Sequence, residues 1–244
     1  MHIYTALQIG HLNSNRCEDF FLVDHLGARF VIGAVMDGCT MGTDSHFAST
    51  LTGKLLRKVL RQRQELEHAR PETQATSATI LLRSVFIELM TELTDMKNRL
   101  LLDNDELLTT LVLLVVDTQE NNGMLVGVGD GYVVVNGTVT AYDHDNRSDY
   151  LGFHLADDAA TWYDSLPQKM ELSSIEDITI ATHGLGSFTE LTADAAPAID
   201  PIAFLTIDQQ GKDHPDMPEK KLKTLEHQFG LKPGDDLALI RLIR

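Results

Sequence analysis

Residues 30–42 read FVIGAVMDGCTMG, and this stretch joins a strand-like run to a polar turn. Residues 31–36 are almost continuously apolar, which is typical of a strand covered on both faces. Asp37-Gly38 follows directly, so the carboxylate of Asp37 would be accessible and yet rigidly placed at a strand end. The alternative is an ordinary turn aspartate, which is common before a glycine.

Three more acidic stretches border strand-like runs elsewhere in the chain. They are Cys17-Glu18-Asp19 before residues 20–23, Gly129-Asp130-Gly131 between residues 124–128 and 132–135, and Gly234-Asp235-Asp236 before residues 237–243. Several carboxylate oxygens that converge at strand ends suit Mg²⁺ or Mn²⁺ better than zinc. Each stretch alone also fits a solvated strand start or a turn. The prediction of one metal site therefore depends on all four together.

Composition limits the class of protein. The 244 residues fit one large domain or two small ones, and the 43% of hydrophobic residues supports a real core. There are 36 acidic residues against 20 basic ones, for a formal charge of −16. This balance disfavours a nucleic-acid partner, because binding DNA or RNA requires Lys and Arg to neutralise phosphates.

Cysteines and targeting patterns bear on location. Cys17 and Cys39 lack the CxxC spacing of a zinc cluster; a disulfide is conceivable, but we interpret them as reduced thiols. The N-terminus has no signal-peptide pattern. The longest apolar stretch, around residues 111–116, is far below membrane-spanning length. We therefore expect a soluble cytoplasmic protein with no membrane partner.

Periodicity predicts the order of elements. Strands are expected at residues 3–9, 20–36, 108–116, 124–128, 132–135, 139–142, 178–181 and 237–243. Helices are expected after the candidate caps at residues 43–45, at residues 76–101 and at residues 219–229, where Gly230 ends the last one. Residues 202–207 fit a helix or a strand. Long helices among many antiparallel strands predict a layered α/β (α+β) domain with helices outside the sheets.

Taken in order, six motifs resemble those of the metal-dependent serine/threonine protein phosphatases of the protein phosphatase 2C type, the PPM family. The motifs are Cys17-Glu18-Asp19, Asp37-Gly38-Cys39-Thr40-Met41-Gly42, Leu108-Thr109-Thr110-Leu111, Gly129-Asp130-Gly131-Tyr132, Thr182-His183-Gly184 and Gly234-Asp235-Asp236. The resemblance spans residues 13–243 as one domain, residues 1–244. It is closest to a divergent bacterial branch that ends in Asp-Asp.

The resemblance implies a fold and an activity. The fold would be two antiparallel β-sheets in a sandwich, flanked by helices on both outer faces. Two or three Mn²⁺ or Mg²⁺ ions at one end would activate a water that attacks phosphorus. The substrate would be a phosphoprotein, and a cognate Ser/Thr kinase would be a candidate partner.

The resemblance also assigns ligands by position. Asp37 would bridge two metals, and the Gly38 carbonyl would complete the shell of one. Asp235 would serve the first metal, so Asp37 and Asp235 are the predicted catalytic residues. Asp19, or Glu18 through a water, would serve the second metal.

The remaining motifs depart from the family pattern. Asp130 would hold a weaker third metal. His183 stands where the family has an aspartate, and histidine tolerates Mn²⁺ better than Mg²⁺. Arg16 is the candidate phosphate-binding residue, although its offset from the acidic pair differs from the family's. Two functions therefore stay open: a phosphatase, or a catalytically weakened phosphatase-like module that binds a phosphoprotein or partner in signalling.

Overall fold

The computed structural model describes residues 1–13, 16–142, 149–191 and 199–244. Within these residues there are twelve β-strands and five α-helices. The strands are β1 (His2–Gln8), β2 (Asp19–Leu26), β3 (Phe30–Asp37), β4 (Leu111–Asp117), β5 (Asn122–Val128), β6 (Gly131–Val135), β7 (Thr138–Tyr142), β8 (Lys169–Ser173), β9 (Asp177–Ala181), β10 (Phe188–Glu190), β11 (Leu231–Pro233) and β12 (Leu237–Ile243). The helices are α1 (Ser45–Ala69), α2 (Ala78–Leu100), α3 (Ala159–Ser165), α4 (Pro201–Thr206) and α5 (Met217–Phe229).

Two five-stranded antiparallel sheets form a sandwich. One sheet has the order β1-β12-β9-β6-β7 and the other β2-β3-β4-β5-β8, while β10 and β11 form a separate pair. Apolar side chains from both sheets meet in one buried cluster, which includes Val35 and Leu114 of one sheet and Ile180 and Ile240 of the other. The predicted two-sheet sandwich is therefore confirmed.

Helices cover both outer faces of the sandwich, as expected. Leu56 of α1 and Phe86 of α2 pack with Leu113 of β4 in the largest buried cluster. Leu225 of α5 packs with Leu239 of β12 on the opposite face. None of the described helices is both long and apolar enough to cross a membrane.

The structure settles three local features that the sequence left open or only suggested. Residues 202–207 fall mostly within α4, a helix whose Asp200 cap accepts hydrogen bonds from the Ile202 and Ala203 amides. Residues 149–172, for which the periodicity predicted neither helix nor strand, contain α3 and most of β8. The cap of α1 is Asp44, but its side chain makes no capping hydrogen bond.

A buried arginine ties α4 to the sheet beneath it. Arg241 of β12 is fully buried and forms a two-pronged ion pair with Asp177, with N–O distances of 3.0 and 2.6 Å. Its other N–H groups donate to the carbonyls of Leu205, Ile207 and Asp208 at 2.8–3.1 Å. All five guanidinium donors therefore have partners.

Candidate metal centre

Asp19 and Asp37, together the carboxylate pair, lie at the centre of the predicted site. β2 begins at Asp19 and β3 ends at Asp37, and the register of the two strands places these residues opposite each other. Side chains of directly opposed antiparallel residues project from the same face. Asp19 is only 3% exposed, whereas Asp37 is partly exposed. The strand pairing thus brings two of the predicted ligands together.

Burial and neighbouring negative charges raise the pKa of both members of the carboxylate pair. Burial raises the pKa of Asp19 to about 8, opposed by the Thr182 hydrogen bond and assisted by the charges of Asp236 and Asp235. Burial, then the charges of Asp19 and Asp235, raise the pKa of Asp37 well above its ordinary value. Two such close carboxylates cannot both ionise without a compensating cation. The metal-free pair therefore holds a proton at neutral pH.

One oxygen of Asp19 has no donor. The Thr182 hydroxyl donates to Asp19 Oδ2 at 2.5 Å, but Asp19 Oδ1 is buried and has no hydrogen-bond partner. In the metal-free protein the proton held by the carboxylate pair can bridge this oxygen to Asp37, and a divalent cation would take the place of that proton. The carboxylate oxygens of this pair are the type of ligand that Mg²⁺ and Mn²⁺ prefer. Among the described residues, no three His, Cys, Asp or Glu side chains form a group that could hold a metal ion as they stand.

Glu18 is held by hydroxyl groups. Ser45 donates to Glu18 Oε1 at 2.5 Å, and Thr40 donates to Glu18 Oε2 at 2.9 Å. The Glu18 carbonyl accepts from the Gly38 amide at 3.1 Å and from the Ser49 hydroxyl at 2.5 Å. A Cβ at Gly38 would lie 2.0 Å from the Ser45 carbonyl oxygen, so this turn requires glycine. Glu18 is therefore oriented by α1 and by the turn after β3.

The two aspartates before β12 have different roles. Asp235 Oδ1 accepts from Asn13 Nδ2 at 3.3 Å, and the charge of Asp235 acts on both members of the carboxylate pair. Asp236 is buried and accepts from the amides of Gly10 at 2.7 Å and Glu18 at 2.6 Å. Asp235 thus faces the site, while Asp236 anchors the loop before β2. We did not single out Asp236 from the sequence, although its place before a buried strand was a signal.

Asp130 and His183 lie at the same end of the sandwich. Gly129 has a φ of +78° and packs against Thr110, whose amide donates to the Asp37 carbonyl at 2.8 Å. Tyr132 of β6 pairs with Ala181 of β9, so Asp130, just before β6, and His183, just after β9, lie near the same end of these neighbouring strands. The side chain of His183 is exposed. Its neighbour Thr182, which sequence reasoning passed over, makes the contact with Asp19.

Arg16 reaches the first turn of α1. Its Nη1 lies 2.7 Å from His46 Nε2, and the arginine side chain is exposed. The structure therefore places Arg16 at the rim of the site rather than among the buried carboxylates. Its phosphate-binding role stays a prediction, as do the metal roles of the residues above.

Comparisons with known proteins identify the family and the fold. The model of the family described as Protein phosphatase 2C matches residues 10–225. No curated protein sequence matches the chain significantly. A crystal structure of a bacterial serine phosphatase superposes with a TM-score of 0.64 at 14% identity, covering 99% of this chain and 96% of that one.

Two further similar structures contain metals. RsbX in complex with magnesium has a TM-score of 0.55 at 16% identity, covering 98% of this chain and 94% of its own. The catalytic domain of the serine/threonine phosphatase PstP, in complex with two manganese ions, has a TM-score of 0.54 at 15% identity, with 98% and 96% covered. The chain spans only 62% of the SpoIIE chain from Bacillus subtilis, which includes a regulatory fragment. These identities establish a shared fold, and the family match over residues 10–225 shows that the chain belongs to the protein phosphatase 2C family.

Proposed function

We propose that this chain is a metal-dependent serine/threonine phosphoprotein phosphatase that hydrolyses phosphate monoesters with a metal-activated water. The observation that carries the proposal is the carboxylate pair, whose raised pKa values and donorless Asp19 oxygen call for a cation. Family membership and the metals in the similar RsbX and PstP structures support it.

The proposed ligands are oxygen donors with one histidine, and the cofactor would be two or three Mn²⁺ or Mg²⁺ ions. They are Asp37, Gly38 through its carbonyl and Asp235 for the first ion, Asp19 with Glu18 and the bridging Asp37 for the second, and Asp130 with His183 for a third. When bound, such ions lower the pKa of a coordinated water and neutralise phosphate oxygens.

The surrounding side chains would keep these ligands in place. Thr182 fixes one oxygen of Asp19, so the other oxygen stays directed away from it. Ser45 and Thr40 hold the Glu18 carboxylate while leaving lone pairs free for a water. The carboxylate pair would release its proton when a cation arrives, because ligation requires the ionised form.

A thiol nucleophile fits this site poorly. Burial, followed by the charges of Asp19 and Asp236, raises the pKa of the Cys17 thiol to about 12. A thiol with this pKa stays protonated at neutral pH, and only the thiolate is an effective nucleophile. This favours direct attack by water over a covalent cysteine intermediate.

The proposal extends to substrate and setting. The substrate would be a phosphoserine or phosphothreonine protein, and a cognate Ser/Thr kinase would be a partner. We place the protein in the bacterial cytoplasm, acting as a single domain over residues 1–244. Two free thiols, Cys17 and Cys39, are consistent with a reducing compartment.

A second candidate is a phosphatase-like module that binds a phosphoprotein without turning it over. Two observations favour it. Both carboxylate oxygens of Glu18 already accept hydrogen bonds from hydroxyl groups. His183 stands where the family has an aspartate, so the site has one carboxylate fewer to bind Mg²⁺ or Mn²⁺. Such a module would retain metal and phosphopeptide binding but not hydrolysis.

Metal-dependent turnover separates the two candidates. An aryl phosphate and a phosphoserine peptide would be assayed with Mn²⁺ and with Mg²⁺, comparing the parent protein, Asp37→Asn and Asp95→Asn. Asp95 is exposed on α2 and provides a matched change of charge. We expect turnover in the parent and in Asp95→Asn, and none in Asp37→Asn. A parent protein that binds Mn²⁺ and phosphopeptide but releases no phosphate would support the binding module.

A further inference from the structure

We infer that Leu12 and Met41, which together we call the apolar rim, select the substrate at the metal centre. They favour a protein segment whose phosphoserine is flanked by apolar residues over one whose phosphoserine is flanked by acidic residues. The inference rests on the proposed function, because it names the substrate class of that same site. Neither residue is a proposed metal ligand.

Both side chains of the apolar rim are strongly exposed. Met41 is 89% exposed and Leu12 is 76% exposed. Single exposed apolar side chains are common on protein surfaces, so exposure alone indicates no function. What distinguishes these two is their place, because each adjoins a residue whose side chain hydrogen-bonds a proposed metal ligand.

Leu12 lies beside Asp235. Its amide donates to the Gly234 carbonyl at 3.1 Å, and the next residue, Asn13, donates from Nδ2 to Asp235 Oδ1 at 3.3 Å. A Cβ at Gly234 would lie 3.6 Å from Leu12 Cδ1, so the leucine side chain packs over the residue before Asp235. The loop before β2 is thereby held with an apolar side chain at the edge of the metal centre.

Met41 lies beside Glu18. The residue before it, Thr40, donates its hydroxyl hydrogen to Glu18 Oε2 at 2.9 Å. The turn itself is fixed, because the Gly42 amide donates to the Cys39 carbonyl at 2.8 Å. Met41 is therefore presented to solvent by a hydrogen-bonded turn that also holds a proposed ligand.

The apolar rim is attached to both sheets of the sandwich. Met41 follows β3 of one sheet, whereas Leu12 is hydrogen-bonded to the turn before β12 of the other. The carboxylate pair connects the two sheets at this end, since Asp19 of β2 accepts a hydrogen bond from Thr182, which follows β9. The two rim residues therefore border the carboxylate pair from different sheets.

The substrate is what would cover this rim. A serine side chain is short, so a phosphoserine that reaches the carboxylate pair brings its own backbone down to the surface around it. Neighbouring residues of an extended chain are only about 3.3 Å apart, so the residues that flank the phosphoserine would lie over the rim. Apolar residues there would bury apolar surface of Leu12 and Met41. Acidic residues would instead be repelled by a chain whose formal charge is −16.

Binding of non-hydrolysable peptides tests the inference independently of turnover. Three peptides would carry a phosphonate analogue of phosphoserine and differ only in the residues on either side of it, which are leucine, alanine or glutamate. Each would be titrated by calorimetry into the Mn²⁺-loaded parent protein. We expect the leucine peptide to bind roughly 5- to 30-fold more tightly than the alanine peptide, through partial burial of apolar side chains. The glutamate peptide should bind more weakly than the alanine peptide, by a factor that shrinks as salt is added.

Variants of the rim assign this preference to its two residues. Leu12→Ser and Met41→Ser should each reduce the preference for the leucine peptide over the alanine peptide. The double variant should reduce it to less than about twofold, because both apolar contacts are then lost. Both side chains are exposed and serine keeps the backbone hydrogen bonds of the two turns, so we expect the variants to fold as the parent does.

Ile80→Ser is the matched control for removing an exposed apolar side chain. Ile80 is 56% exposed in the first turn of α2. The carbonyl of Thr76, just before this helix, accepts from Arg29, which precedes β3. Because β3 ends at Asp37, Ile80 lies toward the opposite end of the sandwich, and its replacement should leave all three peptide affinities unchanged.

The outcomes decide the inference one way or the other. Equal binding of the leucine and alanine peptides by the parent, no binding of any phosphonate peptide, or an unchanged preference in either rim variant would overturn it. A parent that dimerises in sedimentation velocity, with the dimer lost in Met41→Ser, would also overturn it, because a second copy would then cover the rim.

Failure of the inference and failure of the proposed function give different results. If the parent binds the three phosphonate peptides in the expected order but hydrolyses no phosphoserine peptide, the proposed activity fails while the role of the rim stands. If the parent hydrolyses the three corresponding phosphoserine peptides with equal kcat/KM, the activity stands and the rim has no part in selecting the substrate.

Discussion

Replacing Asp19 by asparagine should stabilise the metal-free protein and weaken its response to metal. Asparagine keeps an oxygen that accepts from Thr182, at the position where Asp19 Oδ2 now accepts at 2.5 Å. Its amide can donate to Asp37, where two carboxylates now face each other. The variant thus imitates the protonated pair permanently, and it cannot supply the anionic ligand.

The size of the effect follows from the pKa of Asp19. Burial raises that pKa from 3.8 to about 8, so the folded state binds more protons than the unfolded state between these two values. The free energy of unfolding therefore falls as pH rises through this window. Each unit is worth about 1.4 kcal/mol, which sets an upper bound of about 6 kcal/mol. Water penetration and relaxation reduce it, and we expect about 3–5 kcal/mol at pH 8.

Urea unfolding with a metal chelator present, at pH 5, 6, 7 and 8, measures this change. The parent should lose stability steadily as pH rises, whereas Asp19→Asn should lose much less. The protein carries a formal charge of −16, so general repulsion also grows with pH, and Asp95→Asn corrects for the removal of one charge. Saturating Mn²⁺ should restore the parent at pH 8 by mass action but stabilise Asp19→Asn much less, because the variant lacks one anionic ligand of the second ion.

Two results would refute the reasoning. One is a metal-free parent whose stability is flat or rises between pH 5 and 8. The other is an Asp19→Asn variant that is less stable than the parent at pH 8, or that Mn²⁺ stabilises as strongly. Either result would mean that the carboxylate pair is not protonated in the metal-free protein or does not bind a divalent cation.

Three further predictions concern other parts of the structure. Arg241→Met should lower the free energy of unfolding, measured in urea, by about 3–5 kcal/mol, because the buried carboxylate of Asp177 loses its cationic partner. A loss below about 1 kcal/mol would contradict a stabilising role for this ion pair. Asp37→Asn should abolish Mn²⁺ binding in calorimetry, whereas Asp130→Asn should only weaken it, and equal losses would reverse the assignment of bridging and third-metal positions. His183→Asp should shift the metal preference of turnover from Mn²⁺ toward Mg²⁺, and an unchanged preference in steady-state kinetics would remove His183 from the ligand set.

The layout of the fold was accessible from the sequence because its signals are local. The apolar run that became β3 and the helical spacing that became α1 and α2 depend on neighbouring residues only. Secondary structure was hardest to predict where the apolar pattern is short or fits both a helix and a strand. α4 has six residues, too few for periodicity to distinguish a helix from a strand.

The support of the site was less accessible because it is built from distant residues. The hydroxyl of Thr182 reaches Asp19 across 163 positions, and the carboxylate of Asp236 reaches Gly10 across 226. Strand-end position could suggest that Asp19 and Asp37 converge, since both flank apolar runs. It could not indicate which neighbour of each motif points inward. Which residue of each motif points inward depends on the pairing of the strands and on how the two sheets pack together.

The position of His183 weighs on the choice between phosphatase and binding module. The departure from the family pattern lies at residue 183, yet the contact with Asp19 is made by residue 182, a threonine whose hydroxyl is well placed. His183 is exposed and follows β9, and Asp130 precedes the neighbouring β6, so the two residues proposed for the third ion lie near the same strand ends. The substitution therefore leaves intact the carboxylates that would hold the first two ions. Glu18 can act through a water while keeping both hydroxyl hydrogen bonds. On these grounds we favour the phosphatase over the binding module.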